Sequence, residues 1–281
     1  MTALQDRVVA VTGAGSGIGR ALALGFAARG SILAISDRDA DGLAETAELV
    51  RAATPGVRLR TDDVDVSNES VVKDWANAVA DEFGRVNVVV NNAGVAFSGD
   101  VTESTLKDLE WVMGINFFGV VHGTTSFLPH LIASGEGHVV NISSLFGLLA
   151  TPSQSQYTAA KFAVRGWTET LREEMLIAGH PVNVTSVHPG GIKTGIARNG
   201  RAAEGLDPVK IASFFDNKLA KMEPAQAAEI IIRGVERNKA RVLVGADAHA
   251  LNFMQKVLGS RYQRLVALSV KRMRPYDRAR I

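Results

Sequence analysis

Short apolar runs alternate with amphipathic stretches along the chain. Seven runs have the length and composition of buried strands, at 7–12, 32–36, 57–61, 86–91, 138–143, 182–188 and 241–244. Between them, helical periodicity predicts helices at 18–29, 39–53, 68–83, 102–131, 157–178 and 224–238. This alternation is typical of a parallel sheet covered on both faces. We therefore expect an α/β, Rossmann-type doubly wound fold of about seven parallel strands flanked by helices.

One segment, residues 190–222, departs from the alternation. It carries five glycines among apolar residues such as Ile196, Leu206 and Phe214. A long connection of this kind inside a compact domain is usually a lid or a pocket wall. With 281 residues the chain fits one hydrophobic core. We expect a single domain over 1–247, with 190–222 as its substrate loop.

Composition narrows the class of protein. Hydrophobic residues make up 46% and charged residues 21%, and no apolar run is long enough to span a bilayer. The N-terminal residues lack the pattern of a secretory signal. Because the chain has no cysteine, we expect neither disulfides nor thiolate metal ligands, and we predict a cytoplasmic location. The six histidines lack ligand spacing, so no metal site is predicted.

Positive charge is concentrated at the C-terminus. The last 21 residues hold seven basic residues and one acidic one, which leaves 24 basic and 28 acidic residues elsewhere. The slightly acidic body gives no indication of nucleic-acid binding. Residues 248–281 are predicted to form a basic helical extension, with apolar positions at helical spacing. This extension could pack on its own body or on another subunit, contact an anionic membrane peripherally, or be disordered.

A glycine-rich turn follows the first predicted strand and opens the first helix. Gly13, Gly17 and Gly19 give the spacing G-x3-G-x-G, with Ser16 and Ile18 between them. Such glycines let the backbone approach a pyrophosphate, which the amide groups and dipole of the helix N-terminus stabilise. No Lys-Ser or Lys-Thr pair follows, which excludes a nucleotide triphosphatase loop. A tightly packed strand-to-helix turn would leave the same pattern.

An acidic residue ends the second predicted strand. Asp37, 18 residues after Gly19, is placed to accept hydrogen bonds from an adenosine ribose. A 2′-phosphate would meet a like charge there, so NAD is favoured over NADP. Arg38 argues the other way, because a guanidinium binds phosphate in a bidentate manner. Asp37 could also act as a helix cap, which is compatible with ribose binding.

An ordered set of motifs resembles the short-chain dehydrogenase/reductase family over roughly residues 5–245. The motifs are Thr12 to Gly19, Asp65-Val66, Asn91-Asn92-Ala93-Gly94, Asn116, Ser144, Tyr157-x-x-x-Lys161 and Pro189-Gly190. The resemblance implies that Asp65 and Val66 contact adenine and that Asn92, Ala93 and Gly94 line the cofactor cleft. It also implies that Pro189, Gly190, Ile192 and Thr194 lie near the nicotinamide. In this family the active serine precedes the tyrosine by thirteen residues, which selects Ser144 over Ser143.

Tyr157 and Lys161 stand one helical turn apart and indicate proton transfer. Tyrosine titrates near 10, so a phenolate needs nearby positive charge, which Lys161 and an oxidised nicotinamide would supply. By the resemblance, Tyr157 exchanges a proton with the substrate while hydride moves to or from NAD. Ser144 would polarise the substrate oxygen, and Asn116 would order a water beside the lysine. His188 is expected to be structural rather than catalytic.

The substrate is expected to be a hydrophobic secondary alcohol or ketone. Residues expected near the carbonyl site are Ser144, Phe146, Gln154, Tyr157, Gly191 and Phe214. An NADP-dependent carbonyl reductase, a catalytically idle cofactor-binding scaffold, and an epimerase or dehydratase are the alternatives. Family members usually associate through their long helices, so the resemblance implies a homodimer or homotetramer.

Overall fold

The computed structural model describes residues 1–273 of the chain. Within them, seven strands form one parallel sheet in the order β3-β2-β1-β4-β6-β7-β9, and β5 pairs with β8 in a separate sheet of two strands. The strands are β1 Val8–Thr12, β2 Ile32–Asp37, β3 Leu59–Asp63, β4 Val88–Asn91, β5 Phe97–Ser98, β6 Gly137–Ile142, β7 Val182–Pro189, β8 Arg201–Ala202 and β9 Arg241–Val244. The sheet and its helices confirm the predicted doubly wound α/β fold.

Helices cover both faces of the large sheet. They are α1 Gly17–Ala27, α2 Ala40–Ala53, α3 Glu69–Phe83, α4 Leu106–Met113, α5 Gly119–Ala133, α6 Ser155–Ala178, α7 Pro208–Phe214, α8 Pro224–Glu236, α9 Ala246–Leu258 and α10 Tyr262–Met273. Helices α1, α2 and α8 pack in one buried apolar cluster. Helices α3, α5 and α6 pack in a second cluster on the opposite face.

Alternation along each strand divides the side chains between these two clusters. On β1, Val9 and Val11 belong to the first cluster, whereas Val8 and Ala10 belong to the second. Successive strand residues point to opposite faces, so a strand buried on both faces is apolar throughout. This explains why the strands appear in the sequence as continuous apolar runs.

The ends of several helices are fixed by local sequence. Asp39 accepts a hydrogen bond from the Gly42 amide at the start of α2, and Asn68 caps α3 in the same way. Gly84 and Gly179 end α3 and α6 in the left-handed conformation that favours glycine. These caps set the lengths of the crossovers and so the positions of the strand ends.

The helix predicted at 102–131 is interrupted. A five-residue π-helical turn, Gly114–Phe118, separates α4 from α5. It brings in one extra residue per turn, which a search for 3.6-residue periodicity does not detect. The interruption surrounds Asn116, whose side chain is fully buried.

The predicted lid has secondary structure of its own. Within it, β8 pairs in parallel with β5, the short strand that follows β4 in the chain. The lid then continues through α7 and a π-helical turn, Phe215–Leu219. This small sheet could not be predicted from the sequence, because each of its strands has only two residues. At the base of the lid, the amides of Lys221 and Met222 donate to the carbonyl oxygen of Gly191.

The C-terminal extension folds as α9 and α10 and packs against its own body. Leu251, Met254 and Val266 contact a cluster formed with Leu145 and Leu149 from the loop after β6. Residues 274–281 of the predicted extension lie outside the described residues. None of the helices in residues 1–273 has the length and apolar character needed to cross a membrane.

Candidate active site

The site lies where the strands of the large sheet end. The carboxyl ends of parallel strands meet at one edge, and the chain leaves β1 and β4 in opposite directions, which opens a crevice between them. A cavity of about 1150 Å³ occupies this edge. It runs from the turn after β1 to the lid and the C-terminal helices.

The phosphate turn is shaped by close backbone packing. Gly13 has φ +66° and Gly17 has φ +54°, both in the left-handed region. A Cβ atom at Gly13 would lie 2.7 Å from the Cα of Ala93, and one at Gly19 would lie 2.0 Å from the Gly13 carbonyl oxygen. Gly13 and Gly17 line the cavity, whereas Gly19 supports the turn from behind. Backbone packing therefore requires glycine at positions 13 and 19, whereas Gly13 and Gly17 border the cavity.

The N-terminus of α1 faces the cavity without a side-chain cap. Ser16 occupies the capping position but makes no capping hydrogen bond, and the first turn carries no acidic residue. Uncapped amide groups and the helix dipole favour a bound anion. Ser16 and Ile18 both line the cavity. This end of the cavity fits the diphosphate of a dinucleotide.

Asp37 lies at the expected ribose position and also braces the turn. Its Oδ2 accepts a hydrogen bond of 2.7 Å from the Gly15 amide, and its Oδ1 accepts one of 3.0 Å from the Asp39 amide. Arg38, Asp65 and Val66 line the same end of the cavity. Burial alone would raise the pKa of Asp65, but hydrogen bonds from Ser67 and the charge of Arg38 hold it below its ordinary value.

Ser144 and Tyr157 meet at the middle of the cavity. Ser144 follows β6, Tyr157 lies in the first turn of α6, both side chains line the cavity, and the Ser144 hydroxyl interacts with the phenol. The Ser144 Oγ also accepts a 3.1 Å hydrogen bond from the Phe146 amide. The Phe146 ring lies edge-on to the Tyr157 ring, with centroids 6.2 Å apart. Burial raises the pKa of Tyr157, and the hydrogen bond to Ser144 opposes this in part.

Lys161 is buried beside the tyrosine. Its Nζ donates a 3.0 Å hydrogen bond to the Ile142 carbonyl oxygen and lies 5.7 Å from the centroid of the Tyr157 ring. Burial lowers the pKa of Lys161 to about 8. The sequence predicts that Lys161 and an oxidised nicotinamide together lower the pKa of Tyr157. Among the effects of the protein's own groups, loss of water around the phenol is the largest and raises that pKa.

Asn116 anchors the wall of the cavity. Its Oδ1 accepts a 2.7 Å hydrogen bond from the Val95 amide, and its Nδ2 donates a 2.9 Å bond to the Val95 carbonyl oxygen. A Cβ atom at Gly94 would lie 3.0 Å from the Asn116 Oδ1 and 3.5 Å from the Lys161 Nζ. The side chain of Asn116 therefore lies behind the cavity wall, near the lysine.

The segment after β7 closes over the phosphate turn. Pro189, Gly190, Ile192 and Thr194 line the cavity, as do Asn92, Ala93 and Gly94 on the opposite side. A Cβ atom at Gly17 would lie 3.0 Å from the Thr194 Cγ2, so the lid crosses directly above the turn.

Asp247 is a residue that sequence reasoning missed. Its Oδ2 accepts a 2.7 Å hydrogen bond from the Gly191 amide, and a Cβ atom at Gly190 would lie 2.2 Å from its carboxylate. The acid thus fixes the two glycines at the start of the lid. Its place in the first turn of α9 was the one available signal, because acidic residues are common at helix N-termini.

The far end of the cavity is largely apolar. Phe146, Gln154, Gly191 and Phe214 line it, as expected. The extension contributes further lining residues that were not expected there: Leu251, Met254, Leu265, Val266 and Val270. Their helical spacing was visible in the sequence, but the surface that they cover was not.

His188 is buried outside the cavity, hydrogen-bonded to Ser186 and to the main chain of Ser144. The structural role expected for His188 stays a prediction. Within residues 1–273, no group of three or more His, Asp or Glu side chains is arranged to hold a metal ion.

Comparison with known proteins assigns the family. A family model described as short chain dehydrogenase matches residues 7–205. The chain is 52% identical to SadH of Mycobacterium tuberculosis over 276 residues, which cover 98% of this chain and 99% of that protein.

Two solved structures extend the comparison. A short chain dehydrogenase/reductase from Burkholderia phymatum, in complex with NAD, superposes with a TM-score of 0.82 at 30% identity and covers 100% of both chains. An alcohol dehydrogenase from Thermococcus sibiricus, complexed with 5-hydroxy-NADP, gives a TM-score of 0.71 at 26% identity, covering 86% of this chain and 95% of that one. The present chain therefore belongs to the short-chain dehydrogenase/reductase family and is an oxidoreductase.

Proposed function

We propose that this oxidoreductase transfers a hydride between NAD and a hydrophobic secondary alcohol or its ketone. One observation carries the proposal: a single cavity joins an uncapped phosphate turn to two hydroxyl groups that interact with each other, those of Ser144 and Tyr157. The residues proposed to hold NAD all line this cavity: Gly13, Ser16, Gly17, Ile18, Asp37, Arg38, Asp65, Val66, Asn92, Ala93, Gly94, Tyr157, Lys161, Pro189, Gly190, Ile192 and Thr194. Gly19 lies behind them and is proposed to support the phosphate turn.

In the proposed chemistry, Tyr157 handles the proton. A raised pKa keeps its phenol protonated at neutral pH, so it can donate to a carbonyl oxygen during reduction. In oxidation the phenol first passes its proton to the Lys161 amine, and the resulting phenolate takes the proton of the alcohol. Ser144, on the same side of the cavity, hydrogen-bonds that oxygen. When bound, the nicotinamide supplies or accepts the hydride.

Lys161 is proposed to replenish the proton on Tyr157. With a pKa of about 8 it exchanges protons readily near neutral pH, and its Nζ lies beside the ring. Asn116 lies close to the same amine, since a Cβ atom at Gly94 would contact both the Asn116 Oδ1 and the Lys161 Nζ. This placement supports a proton path that runs from the tyrosine through the lysine toward Asn116.

The preference for NAD over NADP is supported by the position of Asp37. Its carboxylate is held by two backbone amides at the end of β2, so it does not turn away from an approaching ribose. Relatives with each kind of cofactor exist, since the Burkholderia structure contains NAD and the Thermococcus structure contains a derivative of NADP. Arg38 lines the same end of the cavity, which keeps NADP as the alternative.

The proposed substrate is lipophilic because of the groups around the reactive end of the cavity. Phe146 and Phe214 line it, and the extension adds aliphatic side chains from α9 and α10. Gln154 supplies a polar group, although its Nε2 already donates to the Ser98 hydroxyl. Apolar walls of this size suit a hydrocarbon-rich alcohol better than a sugar.

Self-association is also proposed. Exposed apolar side chains on α4, the adjoining π-helical turn and α6 include Leu106, Phe118, Phe162 and Trp167. A patch of this kind on otherwise polar helices favours a subunit interface, and we propose a homodimer or homotetramer. A cytoplasmic location remains a prediction from the cysteine-free composition.

Replacement of the tyrosine tests the proposal. We expect Tyr157→Phe to lower turnover of lipophilic secondary alcohols by about 100-fold or more, with NAD affinity nearly unchanged, because only the proton-transferring oxygen is lost. Turnover is followed by NADH absorbance and affinity by calorimetry. Tyr262→Phe is the matched control, because the Tyr262 hydroxyl accepts a hydrogen bond from the Ala150 amide and lies outside the cavity. Undiminished turnover in Tyr157→Phe would reject the assignment.

A further inference from the structure

Helices α9 and α10 carry exposed apolar side chains. Phe253 and Val257 are 69% and 64% exposed on α9, and Leu265 and Leu268 are 49% and 56% exposed on α10. Each pair stands three or four residues apart, so each forms a ridge along its helix. The opposite sides of both helices are packed, through Leu251, Met254 and Val266 among others. The ridges are thus additional to the apolar surface that holds the extension in place.

The charges around these ridges have one sign. Between residues 248 and 272 the sequence contains no aspartate or glutamate. It contains five basic residues, all exposed: Lys256, Arg261, Arg264, Lys271 and Arg272. Helices with exposed apolar residues flanked by lysine and arginine typically lie in the interface of an anionic bilayer. Long basic side chains extend from such a surface to lipid headgroups.

The ridges are continuous with the mouth of the cavity. Leu265 is half-exposed and also lines the cavity, so it stands at the rim. Leu219 of the lid is likewise exposed and lines the same cavity, with Lys218 and Lys221 beside it. The exposed part of the cavity lining therefore combines apolar and basic groups.

We propose that this docking face (Phe253, Val257, Leu265, Leu268 and the five basic residues) binds an anionic lipid surface, and that lipophilic molecules pass from the lipid into the cavity through the mouth beside it. A second copy of the chain is the competing occupant. Symmetric pairing would place the same basic face against itself, and like charges at such an interface repel. Anionic headgroups complement the five basic residues instead.

Vesicle co-sedimentation of the full chain tests the proposal. Vesicles of phosphatidylcholine alone are compared with vesicles that also contain phosphatidylglycerol. We expect at least about tenfold stronger binding to the anionic vesicles, because each basic side chain near the surface adds to the attraction. We also expect high salt to weaken it. The proposal would be overturned if the protein sedimented equally with both kinds of vesicle, or if it sedimented with neither kind.

Two double variants separate the apolar and charged contributions. The first variant combines Phe253→Ser with Leu268→Ser and removes two exposed apolar residues. The second combines Arg264→Gln with Lys271→Gln and removes two positive charges. None of these four residues lines the cavity. Both are expected to reduce anionic binding several-fold while NAD affinity stays the same. Matched controls on other surfaces are Ile177→Ser on α6 and Arg51→Gln on α2, both exposed, and these should bind as the wild type does.

The same variants decide between a lipid surface and a second copy. Their molar mass in solution is measured by light scattering without vesicles. An unchanged mass together with lost vesicle binding supports the lipid surface. A smaller oligomer in the apolar double variant, with vesicle binding equal to that of the wild type, assigns the face to a subunit interface and overturns the proposal. Neither readout requires turnover, so both are independent of the proposed reaction.

Discussion

His188 donates a 2.9 Å hydrogen bond from Nδ1 to the main-chain carbonyl oxygen of Ser144. A carbonyl can only accept, so the proton is fixed on Nδ1, and Nε2 is left to accept from the Ser186 hydroxyl at 3.0 Å. Burial lowers the pKa of His188 to about 4, which keeps the ring neutral and this arrangement intact at physiological pH. The histidine therefore holds the backbone of the proposed catalytic serine from behind.

His188 is predicted to be a positioning residue. His188→Ala removes the donor to Ser144, and a hydrogen bond of this kind is worth about 1 kcal/mol, so we expect kcat to fall about five- to tenfold. His188→Asn can present an amide nitrogen near the place of Nδ1 and should restore part of the loss. NAD affinity should not change, since His188 does not line the cavity. Stopped-flow measurement of the hydride step provides kcat for all three proteins.

A purely structural role would give a different pattern. In that case His188→Ala and His188→Asn would lower the melting temperature and leave kcat of the folded fraction at the wild-type value.

The proposed site residues at the strand ends could be located from the sequence. Parallel strands end at one edge, so any segment that follows an apolar run is brought to the same place, and this rule applies to Gly13 and Asp37. Ser144 and Gly190 were predicted from the family resemblance instead. The direction of the pKa shift at Tyr157 could not be found in this way, because it depends on how much water surrounds the phenol.

Other features required contacts between distant segments. Asp247 holds the Gly191 amide across 56 positions of sequence, and no local pattern joins them. The π-helical turn around Asn116 changes the helical register by one residue, which periodicity does not resolve. Apolar spacing in α9 and α10 predicted helices correctly, but an apolar face can cover a core, a cavity or a partner equally well.

The cofactor preference is predicted to depend on the charge of Asp37. Asp37→Asn keeps an oxygen that can accept from the Gly15 amide but removes the negative charge that would repel a 2′-phosphate. A repulsion of this kind at the protein surface amounts to about 1 kcal/mol or more, so we expect the ratio of NADP to NAD affinity to rise about five- to tenfold. Calorimetric titration with both cofactors measures the ratio.

Asp39→Asn is the control for Asp37→Asn, because it neutralises a neighbouring exposed acid that caps α2. An affinity ratio that is the same in the wild type and in Asp37→Asn would show that the charge of Asp37 does not select NAD.

Self-association is predicted to depend on the apolar patch of α4 to α6. The ring of Phe117 lies 5.3 Å from that of Phe118 and 6.4 Å from that of Trp167, so the patch is continuous between the helices. Phe118→Glu combined with Trp167→Glu should lower the molar mass in sedimentation velocity, because two charges would be buried in the interface. Leu49→Glu on α2 is an equally exposed control and should leave the mass unchanged. An unaltered mass in the double variant would place the interface elsewhere.

Buried Lys161 is predicted to reduce stability at neutral pH. Its pKa is about 8 in the folded protein against 10.5 ordinarily, so between these values the unfolded chain holds more protons and stability rises with pH. Below pH 8 the loss is complete and amounts to about 3 kcal/mol. Lys161→Met lacks this dependence. The difference between its free energy of unfolding and that of the wild type (variant minus wild type) should therefore be about 2 to 3 kcal/mol larger at pH 7 than at pH 10.

Urea unfolding at the two pH values measures this difference. Lys73→Met on α3 is the matched control, since Lys73 is exposed and its replacement should change stability equally at both. The comparison needs no cofactor or substrate, so it isolates the burial of the amine from its proposed part in proton transfer. If Lys161→Met and the wild type keep a constant difference from pH 7 to pH 10, the amine retains its ordinary pKa in the folded protein and cannot exchange protons near neutrality.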